Sequence, residues 1–111
     1  MLNADIAATH NAAALFAALG DPTRLSLLAT LSDGHQRSIT GLSGNSELTR
    51  QAITKHLNVL QQAGLVESTR VGRESHYRFR PDRIDTMRAY LDSVSRQWDD
   101  AIDRLRSFVE R

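Results

Sequence analysis

The chain contains no cysteine. That absence excludes disulfides, thiolate metal sites, thiol catalysis and thiol-based redox sensing together. Long hydrophobic runs are also missing: no stretch approaches the roughly 18 consecutive apolar residues of a membrane span, so no membrane partner is expected. The opening MLNADIAATHN has no basic segment followed by an apolar one, so no signal peptide is expected and the cytoplasm is the default compartment. Neither sign of charge dominates. Fourteen Lys and Arg against thirteen Asp and Glu leave a net charge of +1, so total charge does not announce nucleic acid and only its distribution can. No glycine-rich phosphate loop, metal-ligand pair or nucleophile–base motif is visible, which argues against an enzyme and against a bound cofactor.

What remains is an ordinary globular composition, 41% hydrophobic and 24% charged over 111 residues. That length predicts one domain, 1–111, with a modest core that a partner chain often completes. The stretch LTRQAITKHLNVLQQAGLV, Leu48 to Val66, organises it. Ile53, Leu57 and Leu60 fall at i, i+4 and i+7 and form an apolar stripe. At 100° per residue, Gln51, Thr54, Lys55 and Asn58 point the opposite way, each able to donate a hydrogen bond to a base edge or a phosphate. Thr49 is placed to cap the helix and Gly64 to stop it. A helix anchored on one face and polar on the other is what a DNA major groove requires. It is equally what a solvated surface helix looks like, and its surroundings must decide.

Before it, Leu2 to Leu19 is an alanine-rich helix whose Leu2, Ile6, His10 and Ala13 or Ala14 share a stripe, continued by Leu15, Phe16 and Leu19. Gly20 ends it. Asp21 and Pro22 suit the N-cap and first position of a second helix carrying Leu25, Leu27, Leu28 and Leu31. Asp33-Gly34 is a turn, Arg37 to Ile39 a short edge strand, and Thr40 to Ser46 a short, intrinsically weak helix. With the helix that follows, 39–63 reads as helix, turn, helix. After Gly64 the period changes to about two, predicting a β-hairpin over 65–80 with its turn near Gly72. Residues 48–80 hold six basic and two acidic side chains, a net of +4, which leaves −3 for the rest of the chain. Basic charge is thus concentrated on the second helix and hairpin, as a nucleic-acid-binding module needs.

From Pro81 onward a long helix carries Ile84, Met87, Leu91, Val94, Trp98, Ala101, Leu105 and Phe108 at alternating steps of three and four. This a/d seam is too long and narrow for so small a domain, which predicts pairing with a second long helix and hence a homodimer. Trp98 is read as an anchor of that seam; the sharper alternative is an interface pocket lined by Trp98, Leu91 and Phe108.

The segments LFAALGDPTRLSLLATL, LTRQAITKHLNVLQQAGLV and VESTRVGRESHYRF, in this order and spacing, resemble the ArsR (ArsR/SmtB) family of winged helix-turn-helix repressors. The resemblance covers about residues 12–80 and rests on Leu19-Gly20-Asp21-Pro22-Thr23-Arg24, on His56-Leu57 with Leu60 and Ala63-Gly64-Leu65-Val66, and on Gly72-Arg73 at the hairpin tip. It implies a mainly α fold with a small β-hairpin (α+β), a winged helix-turn-helix with dimerisation helices at 1–19 and 81–111. It also implies a homodimeric repressor on a near-palindromic operator in double-stranded DNA, relieved by a ligand whose identity stays unknown. The DNA-reading positions it implies are Thr49, Arg50, Gln51, Thr54, Lys55 and His56, with Arg70, Arg73, Ser75 and Tyr77 on the wing. The residues alone read His56, about 60° from the apolar stripe, as a half-buried, hydrogen-bonded histidine. Ile6, His10, Met87, Leu91, Val94, Trp98, Leu105 and Phe108 would form the dimer interface.

Two departures stand out. Metal-sensing members use cysteines before the recognition helix, or Asp and His on the last helix. Here there is no cysteine, and the last helix has Asp85, Asp92, Asp99, Asp100 and Asp103 but no histidine. Carboxylates alone suit zinc poorly, so no metal is expected. The glycine-rich Gly41 to Asn45 stretch is also unlike the usual well-formed helix. Two alternatives stay open: a winged-helix module that binds another protein, and a metal-responsive repressor with an atypical histidine–carboxylate site.

Overall fold

Each change of hydrophobic period in the sequence becomes a change of element. The computed structural model describes the backbone of residues 2–44 and 47–110, and the side chains of residue 7 and of residues 9–44 and 47–110. Ile6, expected at an interface, lies outside the described side chains, and Asn45 and Ser46 lie outside the described residues. The elements run α1 (Leu2–Leu19), α2 (Pro22–Leu31), β1 (Arg37–Ser38), α3 (Ile39–Ser43), α4 (Arg50–Gln62), β2 (Val66–Val71), β3 (Glu74–Phe79) and α5 (Asp82–Val109).

Side chains start the helices where free backbone N–H groups need acceptors. The Asp21 carboxylate accepts from the Arg24 N–H at 3.1 Å, with Pro22 first in α2. The Ser38 hydroxyl accepts from Gly41 at 3.0 Å, and the Thr49 hydroxyl from Ala52 at 3.1 Å. At the far end of α4, the Leu65 N–H bonds the Leu60 carbonyl and the Gly64 N–H bonds that of Gln61, both at 3.0 Å. This paired closure needs a left-handed residue, and Gly64 supplies it at φ +78°. Arg83 packs over the same glycine, with Nε 3.0 Å from where a Cβ would sit. Any other residue at 64 meets both backbone strain and this side chain.

The core gathers Leu15 and Ala18 of α1, Leu27, Leu28 and Leu31 of α2, and Ile53, Leu57 and Leu60 of α4. Leu65, Val66, Tyr77 and Met87 complete it. The α4 stripe is sealed, and each fully buried large aliphatic of this kind contributes about 1.5–3 kcal/mol. On α1 the buried positions are Ala12, Leu15 and Ala18, while His10, Ala13 and Ala14 are exposed, so the inward stripe is rotated from the expected one.

The sheet has the order β1-β3-β2, all antiparallel. β1 joins the hairpin as the expected edge strand. Its register places Arg37 opposite Tyr77, and β2 places Ser68 there from the other side. Tyr77 therefore sits in the central strand with its ring inward, 4% exposed. This corrects its assignment as a DNA contact: directly opposed residues share a face, and its face carries Val66 and Phe79 into the core.

At 1.5 Å per residue α5 is about 42 Å long. Its first turns belong to the domain: Ile84 and Met87 pack on the core, and Tyr90 meets Phe16 of α1 with ring centroids 6.1 Å apart. Met87, 7% exposed, is thus a core residue of its own chain rather than an interface residue. Most of the seam beyond it lacks cover, with Val94 and Ala101 half-buried. Leu91, Trp98, Leu105 and Phe108 are all exposed, Trp98 at 66% and Phe108 at 70%. The radius of gyration, 18.7 Å, exceeds the ~13 Å of a compact chain of this length because this helix projects.

Candidate nucleic-acid interface

The outer face of α4 is built by the same residues that anchor its inner face. With Ile53, Leu57 and Leu60 fixed in the core, Arg50, Gln51, Lys55 and Asn58 are exposed. Thr54 is half-buried, and its hydroxyl donates to the Arg50 carbonyl at 2.8 Å. The one proton of that hydroxyl is engaged, so Thr54 offers an acceptor and a methyl group rather than a donor. A methyl on this face suits the C5-methyl of thymine. Thr49 is committed through its hydroxyl to capping α4, as expected. Val59, exposed at 38%, adds an apolar position that sequence reasoning did not single out.

His56 is set back from this face. It is half-buried, with Nδ1 3.4 Å from an Arg24 terminal nitrogen and 3.8 Å from Asp21 Oδ2. The Asp21 carboxyl is held below its ordinary pKa chiefly by the Arg24 backbone N–H, helped by the Arg24 charge and opposed by burial.

The wing is positioned by register. Val66, Ser68, Arg70, Ser75, Tyr77 and Phe79 share one face, since Val66 opposes Phe79, Ser68 opposes Tyr77 and Arg70 opposes Ser75. The Gln61 side chain of α4 donates to the Ser68 hydroxyl at 3.1 Å, so this face is the one turned toward α4. Arg70 and half-buried Ser75 continue it outward from the core. The tip is a two-residue loop, Gly72-Arg73. Gly72 has φ +64° and Arg73 a negative φ, the pattern of a type II′ turn, which presents the Arg73 side chain at the end of the hairpin.

Charge pairing separates the basic residues into two groups. Arg78 is held by Glu67 at 2.8 Å, and Arg80 by Asp82 at 3.1 Å. Arg50, Lys55, Arg70 and Arg73 make no ion pair among the described residues. Within residues 48–80 the four cations without an ion pair are therefore those on α4 and on the α4-facing side and tip of the wing. An outer helix face and a hairpin with unneutralised cations can hold phosphates, while Gln51 and Asn58 have the paired donor and acceptor that read adenine.

The histidines of the chain lie apart from this surface except for His56 and His76. Among the described residues no group of three or more His, Cys, Asp or Glu could hold an ion. His10, His35 and His76 lie on α1, in the turn before β1 and on β3, the last two against Asp33 and Glu74. No helix among the described residues is long and apolar enough to cross a membrane.

Residues 21–68 match the family model of the bacterial regulatory protein, arsR family. An uncharacterised HTH-type transcriptional regulator of Methanocaldococcus jannaschii is 30% identical over 85 residues, spanning 77% of this chain and 96% of the relative. The uncharacterised HTH-type transcriptional regulator YuzN of Bacillus subtilis is 44% identical over 69 residues, 57% of this chain and 75% of that protein. Among solved structures, an ArsR-like transcriptional regulator from Rhodococcus sp. RHA1 superposes with a TM-score of 0.78 at 37% identity, covering 90% of this chain and 93% of that one.

Proposed function

The chain belongs to the ArsR family of helix-turn-helix transcriptional regulators, and from that premise we propose that it is a homodimeric repressor reading a near-palindromic operator. Regulators of this family bind DNA and are not enzymes. In the proposed arrangement 1–111 is one winged domain acting in the cytoplasm. The helix-turn-helix of 39–63 places α4 in the major groove and the wing of 65–80 follows the backbone. The two copies of α4 then lie one DNA turn or a multiple apart, roughly 34–36 Å per turn.

The observation that carries this reading is the coincidence on one surface of a polar helix face and four cations without ion pairs. Gln51, Asn58 and Thr54 are assigned to base edges, and Arg50, Lys55, Arg70 and Arg73 to phosphates or bases. Ser75 stands beside Arg70 as a further backbone contact. Dimerisation is supported by the exposed seam residues of α5, Leu91, Trp98, Leu105 and Phe108, with half-buried Val94 between them and α1 with its exposed His10 alongside. A dimer seated on an operator excludes other proteins from that DNA, which is the physical basis of repression.

Fluorescence anisotropy on DNA from upstream of the gene, beside a scrambled duplex and over a range of salt, tests the proposal. The expected result is a clear preference for the native duplex, with log K falling against log salt at about −0.9 per neutralised phosphate. No binding to either duplex at low salt would overturn it in favour of a protein-binding module.

A further inference from the structure

Arg24 stands where three helices meet. It lies in the first turn of α2, its backbone N–H held by the Asp21 cap. Its guanidinium reaches two ways. On one side Nε donates to the Ala18 carbonyl and a terminal nitrogen donates to that of Ala17 at 3.3 Å, both in the last turn of α1. On the other, the second terminal nitrogen approaches His56 Nδ1 of α4 at 3.4 Å. Guanidinium is a planar fork of donors with no acceptor, so His56 meets it with the Nδ1 lone pair. One rigid group thus joins the end of α1 to the middle of α4.

The place of this link on α4 gives it a consequence. Ile53, Leu57 and Leu60 hold the helix by apolar burial, which is non-directional and tolerates small rotations about the helix axis. His56 flanks that stripe by about 60°. A directional contact at the flank fixes the roll that packing leaves free. The roll decides whether Gln51 and Asn58 or their neighbours face outward.

We propose that Arg24 is a positioning residue for DNA reading: it ties the roll of α4 to the C-terminal end of α1, and so sets how the two recognition helices of a dimer are spaced. The inference rests on the DNA-reading role proposed above. Lysine, a point charge on a flexible stem, cannot reproduce the fork across both helices.

The test uses the full chain and duplexes selected by the wild-type protein from a random library. One series lengthens or shortens the spacer between half-sites by a base pair; a second substitutes bases within a half-site. The wild type is expected to lose affinity in both series. Arg24→Lys and His56→Ala should each bind the selected duplex about tenfold more weakly and discriminate spacers less than about twofold, while still discriminating half-site bases. The double variant should be no weaker than the worse single one, because both remove the same link. Melting temperature and sedimentation are measured beside them. If Arg24→Lys does not fold, His56→Ala carries the same comparison.

An affinity loss equal on all duplexes, with the spacer preference intact, would overturn the inference and leave Arg24 a stabilising residue. Unchanged binding by both variants would overturn it as well. Failure of the wild type to bind any duplex would overturn the DNA-reading proposal itself, and this inference with it.

Discussion

Helices α4 and α5 carry the same kind of apolar stripe and meet opposite fates. In α4, Ile53, Leu57 and Leu60 disappear into the core of their own chain. In α5, Met87 does so, but from about three turns on Trp98, Leu105 and Phe108 stand in solvent. Periodicity therefore states that a face needs covering and is silent about what covers it. The difference lies in geometry. α4 is 13 residues long and spans the domain, whereas α5 at 28 residues outruns it. A stripe that outlasts its domain is available to a second chain.

The two helices should separate under substitution. Leu57→Ala removes a fully buried side chain and is expected to destabilise the fold by about 2–5 kcal/mol, seen as a lower midpoint in chemical denaturation. Trp98→Ala combined with Leu105→Ala should leave the folding of the separated chain nearly unchanged and weaken self-association roughly a hundredfold or more, since each large apolar contact is worth about 1.5–3 kcal/mol. Sedimentation over a concentration range measures it. A wild type that stays monomeric throughout would break the comparison by showing that the seam serves some other partner.

The outer face of α4 and the wing should differ more subtly. Gln51→Ala is expected to relax preference at one base position by about 1–3 kcal/mol, read by binding to duplexes varied at that position. Arg73→Ala should weaken all sequences alike and reduce the salt slope by about one if Arg73 holds a phosphate. A loss confined to particular A·T-rich duplexes would place it in a minor groove instead.

The smallest effect is expected in the turn that joins α2 to β1. Asp33 accepts from both Arg37 terminal nitrogens, at 2.9 and 2.6 Å, and from the His35 N–H at 2.9 Å. These hold its carboxyl well below the usual carboxylate range, the Arg37 bonds most strongly. A lowered folded pKa means that the stabilisation is complete above the unfolded value and is lost as pH falls through the folded one. The thermal midpoint of Asp33→Asn should thus lie slightly below wild type at neutral pH, with the gap starting to close below about pH 4 and vanishing only well into acid. Curves that stay parallel into acid would show that this ion pair does not shape the turn.

Much of this was legible because it depends on neighbours close in sequence. The caps Asp21 and Thr49, the stop at Gly64, the α4 stripe and the hairpin turn at Gly72 all follow from local chemistry. Met87 was not legible, because its seam position is equivalent to that of Trp98. Only the length of the domain beneath α5 distinguishes them. Tyr77 was misassigned although the parity was available: Phe79, two residues on, already marked its face as apolar. Arg24 escaped notice for a different reason. A basic residue in a first helical turn reads as solvated, and its partners belong to helices before and after it. The polar face of α4 was visible, but not that Arg78 and Arg80 are neutralised while Arg70 and Arg73 are not, since that division depends on cross-strand register and side-chain reach.

The division within α5 also decides what a lone chain displays. Met87 is sealed in the core while Trp98, Leu105 and Phe108 already stand in solvent in the folded monomer. Loss of a partner would therefore leave the fold intact and bare an apolar strip, a surface prone to indiscriminate association.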